Sequence, residues 1–206
     1  MTEKDYLSDI TEIKTIMNRS SRFISLSGLS GILAGVYALA GAFLANLLLI
    51  NHQNSYSEVS KLPISYLEYM LLGTAIIVLL FSVITAFILS RKKAKRNQEK
   101  IWDQTSKRLL INFLIPLISG GLFCIVLYQN NLIGLIAPST LIFYGLACLN
   151  ASKYTLGDIR YLGLSTIAIG LIATQFIGYG LYFWAIGFGV FHIIYGAIMY
   201  IKYDKK

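Results

Sequence analysis

"YLEYMLLGTAIIVLLFSVITAFILS" (66–90) carries a single charged residue, Glu68, and stops against the basic block "RKKAKR" (91–96). About 20 apolar residues cross a hydrocarbon core of roughly 30 Å at a rise of 1.5 Å per residue. The stretch is therefore long enough to span a bilayer, and the basic block marks where the chain leaves it. Five more apolar runs, at 23–50, 109–128, 131–149, 159–176 and 179–201, approach or exceed the same length. Hydrophobic residues make up 56% of the 206, charged residues only 14%, and mean hydropathy is +0.64, a balance that excludes a single soluble domain. The reading is an all-α polytopic membrane bundle of six transmembrane helices. A cleaved secretory signal competes for the first run, because Arg19 and Arg22 precede it and "ALA" (38–40) has cleavage-site spacing. The run continues to Ile50, and Glu3, Asp5, Asp9 and Glu12 precede it, so an uncleaved helix is favoured.

Orientation follows from lysine and arginine counted on alternate sides of six helices. One side takes the N-terminal segment, loop 91–108, loop 150–160 and the tail, and collects 17 of the 18 basic residues. The other side has Lys61 alone. Both termini are expected to be cytoplasmic, and the formal net charge of +8 is then a topology signal. A basic run beside a membrane helix faces anionic lipid more readily than nucleic acid. Arg91, Lys92, Lys93, Lys95 and Arg96 are accordingly read as a lipid-facing cluster.

Three parts are expected along the chain: a cytoplasmic amphipathic segment (1–22), the membrane domain (23–201) and a short cytoplasmic tail (202–206). In the first, Tyr6, Ile10, Ile13 and Met17 recur at helical spacing, which calls for a short amphipathic N-terminal helix lying on the membrane interface or the bundle's own end. Loop 51–65 is the only long external connection, while 129–131 and 177–178 read as tight turns. Thr155 followed three residues later by Asp158 fits a capping box opening the fifth helix. Pro116 and Pro138 are expected to kink the third and fourth helices. The similarity of "RFISLS" (22–27) to "RYLGLS" (160–165) suggests a repeated hairpin, although chance likeness between apolar helices accounts for it more simply. Cys124 and Cys148 differ in expected depth by about 20 Å, too far for a disulfide.

Ser27, Gly31 and Gly35 fall on one face of the first helix, with Ala34, Ala38 and Ala42 adjacent, a spacing that lets membrane helices approach closely. Against which helix, or which copy, the pattern leaves open. In the last helix His192 sits far from either end, and Tyr195 shares its face. An ionisable group at that depth is a site candidate. One reading is a neutral histidine bonded inside the bundle to Tyr195 or to Ser27, Ser30 or Thr166. The other makes His192 and Tyr195 a ligand contact or proton relay. No carboxylate lies within a span interior, no second histidine lies at matching depth, and no metal, nucleophile or phosphate-loop motif occurs, so no cofactor, metal or catalytic residue is expected.

The segments "LIFYGLACLNASKYTLGDIRYLGL" (141–164), "FWAIGFGVFHIIYGAIMY" (183–200) and "RSSRFISLSGLSG" (19–31) resemble a family of small uncharacterised six-helix bacterial membrane proteins. The resemblance implies multi-pass placement in a bacterial inner membrane and supplies no catalytic residue. The expected role is a non-enzymatic accessory or regulatory one, exerted through helix packing and the basic cytoplasmic face. Its partners would be anionic lipid, a second copy or another membrane protein. The alternative is a small permease, or binding protein, for an apolar or weakly polar ligand held between helices 1, 3, 4 and 6.

Overall fold

The computed structural model describes residues 26–53, 64–98 and 102–205. The amphipathic segment expected over 1–22, and most of loop 51–65, lie outside the described residues. Within them the regular structure is entirely helical. Helix α1 is Gly28–Gln53, α2 Ile64–Arg96 and α3 Gln104–Gln129. A 3-10 turn, Ile133–Leu135, leads into α4, Ile136–Ala151; α5 is Ile159–Ala173. The last helix, α6, runs Gly180–Asp204 and contains two wide π-helical turns, Ala185–Val190 and Tyr200–Asp204.

Five helices, α1, α2, α3, α4 with its 3-10 turn, and α6, are long and apolar enough to cross a membrane. Helix α5 is shorter, with 15 residues, and stops before the end of the expected run 159–176. The chain unwinds where Thr174 turns its hydroxyl back onto the Leu171 carbonyl, and it reverses at Gly178, whose φ of 102° only glycine adopts readily. The two prolines also behave differently from each other. Pro116 lies inside α3, whereas Pro138 occupies the first turn of α4, where its missing N–H costs no intrahelical bond.

The helix ends sort into two groups. Lys93 near the end of α2 meets Leu26 before α1 and Asp204 at the end of α6. Asn150 at the end of α4 donates to Asn112 in the early part of α3, and Asp158 before α5 binds Lys202 on α6. These ends form one pole, here the basic end. At the other pole Tyr128 of α3 donates to Glu68 of α2 at 2.8 Å. Consecutive helices therefore alternate in direction.

Packing divides the bundle into two sets. Helix α1 lies between α2 and α6, α4 lies between α3 and α5, and α6 joins the sets by also touching α4 and α5. The hairpins α1–α2 and α5–α6 thus differ in their neighbours, since α5 packs chiefly on α4.

Both principal seams are made of glycine. Gly28, Gly31 and Gly35 of α1 lie against Gly189, Gly196 and the neighbouring backbone of α6; a Cβ on Gly35 would stand 2.6 Å from the Gly189 carbonyl oxygen. Gly145 of α4 and Gly163 of α5 face each other, each leaving room for the other's carbonyl and for nothing larger. Such close backbone contact supplies attraction between helices through dispersion. Helices α2 and α3 instead turn Ile77, Leu80, Ile84 and Ile88, and Ile111, Ile115, Ile118 and Leu122, to the outside.

Helix α3 opens with the reciprocal capping box. Asp103 accepts the Ser106 N–H at 2.7 Å and Ser106 Oγ accepts the Asp103 N–H at 2.9 Å. Helix α5 starts at Ile159 with Asp158, not Thr155, at its N-cap, and the Asp158 carboxylate makes no cap bond but binds Lys202 and Tyr203 at the end of α6.

Candidate functional site

Polar side chains meet inside the bundle where α4 faces α6. Tyr144 and Cys148 are one turn apart on α4, and His192 and Tyr195 nearly one turn apart on α6, so each pair shares a face. Just before His192 the helix widens through the π-helical turn Ala185–Val190. Widened turns of this kind recur at functional sites. Here the Gly187 carbonyl lies 3.1 Å from Nδ1 of His192.

That contact determines the tautomer. A carbonyl oxygen only accepts, so Nδ1 carries the proton, and Nε2 is left with a lone pair. The Tyr144 hydroxyl donates to that lone pair at 2.6 Å. Both ring nitrogens are therefore engaged, one within α6 and one across to α4. Aromatic rings enclose the pair. Phe188 stacks on His192 at 5.9 Å and lies 5.0 Å from Tyr144, Trp184 lies 4.9 Å from Phe188, and Phe113 of α3 meets Tyr144 edge-on. The histidine is 7% exposed.

The partners expected for His192 are occupied elsewhere. Ser27 binds Asp204, Ser30 donates to the Ser27 carbonyl, and Thr166 donates to the carbonyls of Leu162 and Gly163. Tyr195 lies on the expected face, yet among the described residues its buried hydroxyl has no hydrogen-bond partner. The π-helical turn supplies an acceptor from the histidine's own helix, and Tyr144 supplies the donor, so nothing is left for Tyr195. Of the packing residues, Gly31 and Gly35 lie against α6, while Ser27 precedes α1 and turns its side chain to the α6 terminus.

A second polar cluster closes the basic end. Asp204 Oδ2 accepts the Gly28 N–H at 2.8 Å and lies 3.3 Å from Ser27 Oγ; it thereby caps α1 from the far end of the chain. Its Oδ1 meets the Lys93 ammonium at 2.6 Å as an ion pair, outside good hydrogen-bond directionality. Lys93 also donates to the Leu26 carbonyl at 2.9 Å. One carboxylate thus ties together the ends of α1, α2 and α6. Lys93 corrects the reading of 91–96 as a uniformly lipid-facing cluster. Helix α2 continues through Arg96, and its rotation turns Lys93 inward while Arg91, Lys92, Lys95 and Arg96 stay exposed.

Alongside, Asp158 is held by Lys202 at 2.9 Å and by the Tyr203 hydroxyl at 2.8 Å. Partial burial opposes ionisation of its carboxyl, but the hydrogen bonds from Lys202 and Tyr203 and the lysine charge outweigh it and hold the group below its ordinary range.

Tyr144 and Asp204 are the two partners that sequence reasoning overlooked. A signal existed for each: Tyr144 and Cys148 interrupt an otherwise apolar run one turn apart, and Asp204 is the only acid in a basic tail. Among the described residues no group of three or more His, Cys, Asp or Glu side chains stands ready to hold a metal ion. In comparisons with known proteins, the chain matches no family model, no curated sequence and no solved structure.

Proposed function

We propose that this chain is a multi-pass inner-membrane protein of bacterial type, crossing six times with both ends in the cytoplasm, and that its role is non-enzymatic, accessory or regulatory. The carrying observation is the distribution of charge on the fold. Every described lysine and arginine lies at the basic end, and between the two ends α2 and α3 present predominantly apolar flanks. A soluble protein could not leave such flanks in water, and the sidedness of the basic residues matches the rule for cytoplasmic loops.

The short α5 fits this reading. The chain leaves α4 at the basic end and enters α6 at the other, so residues 152–179 have to return the whole way. Fifteen helical residues supply roughly 22 Å, and the apolar turn holding Phe176 and Ile177 supplies the rest. A span this short is accommodated by local thinning of the bilayer.

Both nitrogens of His192 are engaged inside the bundle, Nδ1–H on the Gly187 carbonyl and the Nε2 lone pair on the Tyr144 hydroxyl, which supports reading it as a bracing residue. The exposed Arg91, Lys92, Lys95 and Arg96 would then lie against anionic headgroups, each worth about 1 kcal/mol near the surface. A periplasmically active reporter fused at residue 57 should be active, and the same reporter at residue 98 silent. The reverse pattern would overturn the topology. Substituting those four residues by glutamine should weaken the stabilisation that anionic lipid gives the purified protein, and an unchanged lipid response would remove the basic face from the proposal.

A further inference from the structure

Helix α2 turns one side to α1: Val78 and Thr74 lie against Gly41, and the Thr85 hydroxyl lies 3.4 Å from that of Tyr37. Among the described helices α2 packs side by side with α1 alone. Ala94 comes nine residues after Thr85, and at about 100° per residue that turns it to the opposite side of the helix. There it should be bare, yet it is 0% exposed. Ser90, one turn before it, is buried as well. Helix α3 does not account for the cover, because it is joined to α2 at the other pole, through Tyr128 and Glu68, and is not packed along it.

We propose that the amphipathic segment 1–22 seats on this side of α2 at the basic end and covers Ser90 and Ala94. Attachment is the first argument. The chain enters α1 through Leu26, whose carbonyl accepts from Lys93, the neighbour of Ala94. The stretch from Met17 to Leu26 can extend to about 30 Å, against a helix diameter of roughly 10–12 Å, so the stripe reaches the far side of α2 with ease. Shape is the second. Tyr6, Ile10, Ile13 and Met17 form an apolar stripe that needs a cover, and the small side chains of Ser90 and Ala94 let a helix come close. Charge is the third, and it decides between the membrane surface and the protein. Helices that lie on a membrane carry lysine and arginine on their polar face. Here Asp5, Asp9 and Glu12 fall away from the stripe, and four of the chain's ten acids stand within its first twelve residues. Anionic headgroups repel such a face, whereas the exposed Arg91, Lys95, Lys107 and Arg108 attract it. Seated there, the segment shields cations that the proposed regulatory reading assigns to lipid, so the two compete; the seat itself does not depend on that reading.

The test uses the full-length chain in lipid nanodiscs with Cys124→Ala and Cys148→Ala, so that Ala94→Cys supplies the only thiol. A water-soluble maleimide should react with it slowly. Ile10→Ser together with Ile13→Ser should speed the reaction by about tenfold or more, because the cover then opens more often. Ile101→Ser, in the connection between α2 and α3, should leave the rate as it was. Independently, at least one of Tyr6→Cys, Ile10→Cys, Ile13→Cys and Met17→Cys, each paired with Ala94→Cys, should form a disulfide within one chain on mild oxidation. An unchanged maleimide rate in the double serine variant would overturn the proposal, as would the absence of any such disulfide. Faster reaction in Ile101→Ser would overturn it by assigning the cover to the connection, and a disulfide between two chains by assigning it to a second copy.

Discussion

The His192 cluster and the Asp204 clasp both bury polar groups between helices, but one is neutral and the other ionic. Midway along α6, histidine and tyrosine complete each other's hydrogen bonds without any charge. At the helix ends, a carboxylate and an ammonium share a nearly closed site, and each also takes a backbone partner there, Gly28 N–H for the acid and the Leu26 carbonyl for the lysine. The difference teaches how depth selects chemistry. A charge is expensive where no backbone group is free to solvate it, and the middle of a helix offers almost none. Helix termini leave four N–H or C=O groups unsatisfied, so they can receive ions that the interior cannot.

Substitutions at three places sharpen that contrast. The largest effect should come from halving the clasp. Lys93→Met or Asp204→Asn alone leaves the partner charge buried and unmatched, and should cost about 3–5 kcal/mol. The double variant should recover much of that loss in chemical or thermal denaturation in detergent. Equal losses in the single and double variants would mean that the pair is not coupled.

The neutral cluster should respond less. His192→Leu strands the Tyr144 hydroxyl and should cost about 1–3 kcal/mol. His192→Gln can still accept from Tyr144 and donate to Gly187, and should lose a fraction of that, as read by unfolding midpoints. If glutamine proved as damaging as leucine, ring packing against Phe188 would outweigh the hydrogen bonds.

The smallest effect belongs to the Asp158–Lys202 pair, whose lysine is exposed; Asp158→Asn should cost about 0.2–1 kcal/mol at neutral pH. The sign of its pH dependence is set by the depressed carboxyl. Its contribution is present above the ordinary aspartate value, about pH 4, and disappears as pH falls through the lower folded value. The gap in melting temperature between wild type and Asp158→Asn should therefore close on acidification. A gap that widened in acid would show that burial, not Lys202, dominates the group.

Sequence alone determined the helical class, the apolar runs, the one-sided placement of basic residues and the small-residue face of α1, because each depends on local composition and on the 3.6-residue period. It also singled out His192 and Tyr195, since a polar residue in an apolar run is conspicuous. Only the tertiary structure decided who meets whom. Nothing in the period of α6 announces the π-helical turn that brings the Gly187 carbonyl to Nδ1. Tyr144 stands 48 residues from His192, Asp204 stands 176 from Gly28, and the inward turn of Lys93 depends on how far α2 continues past its apolar run. Such pairings arise from helix rotation and glycine-mediated approach, which are settled by the joint packing of all the helices and leave no local periodic trace in the chain.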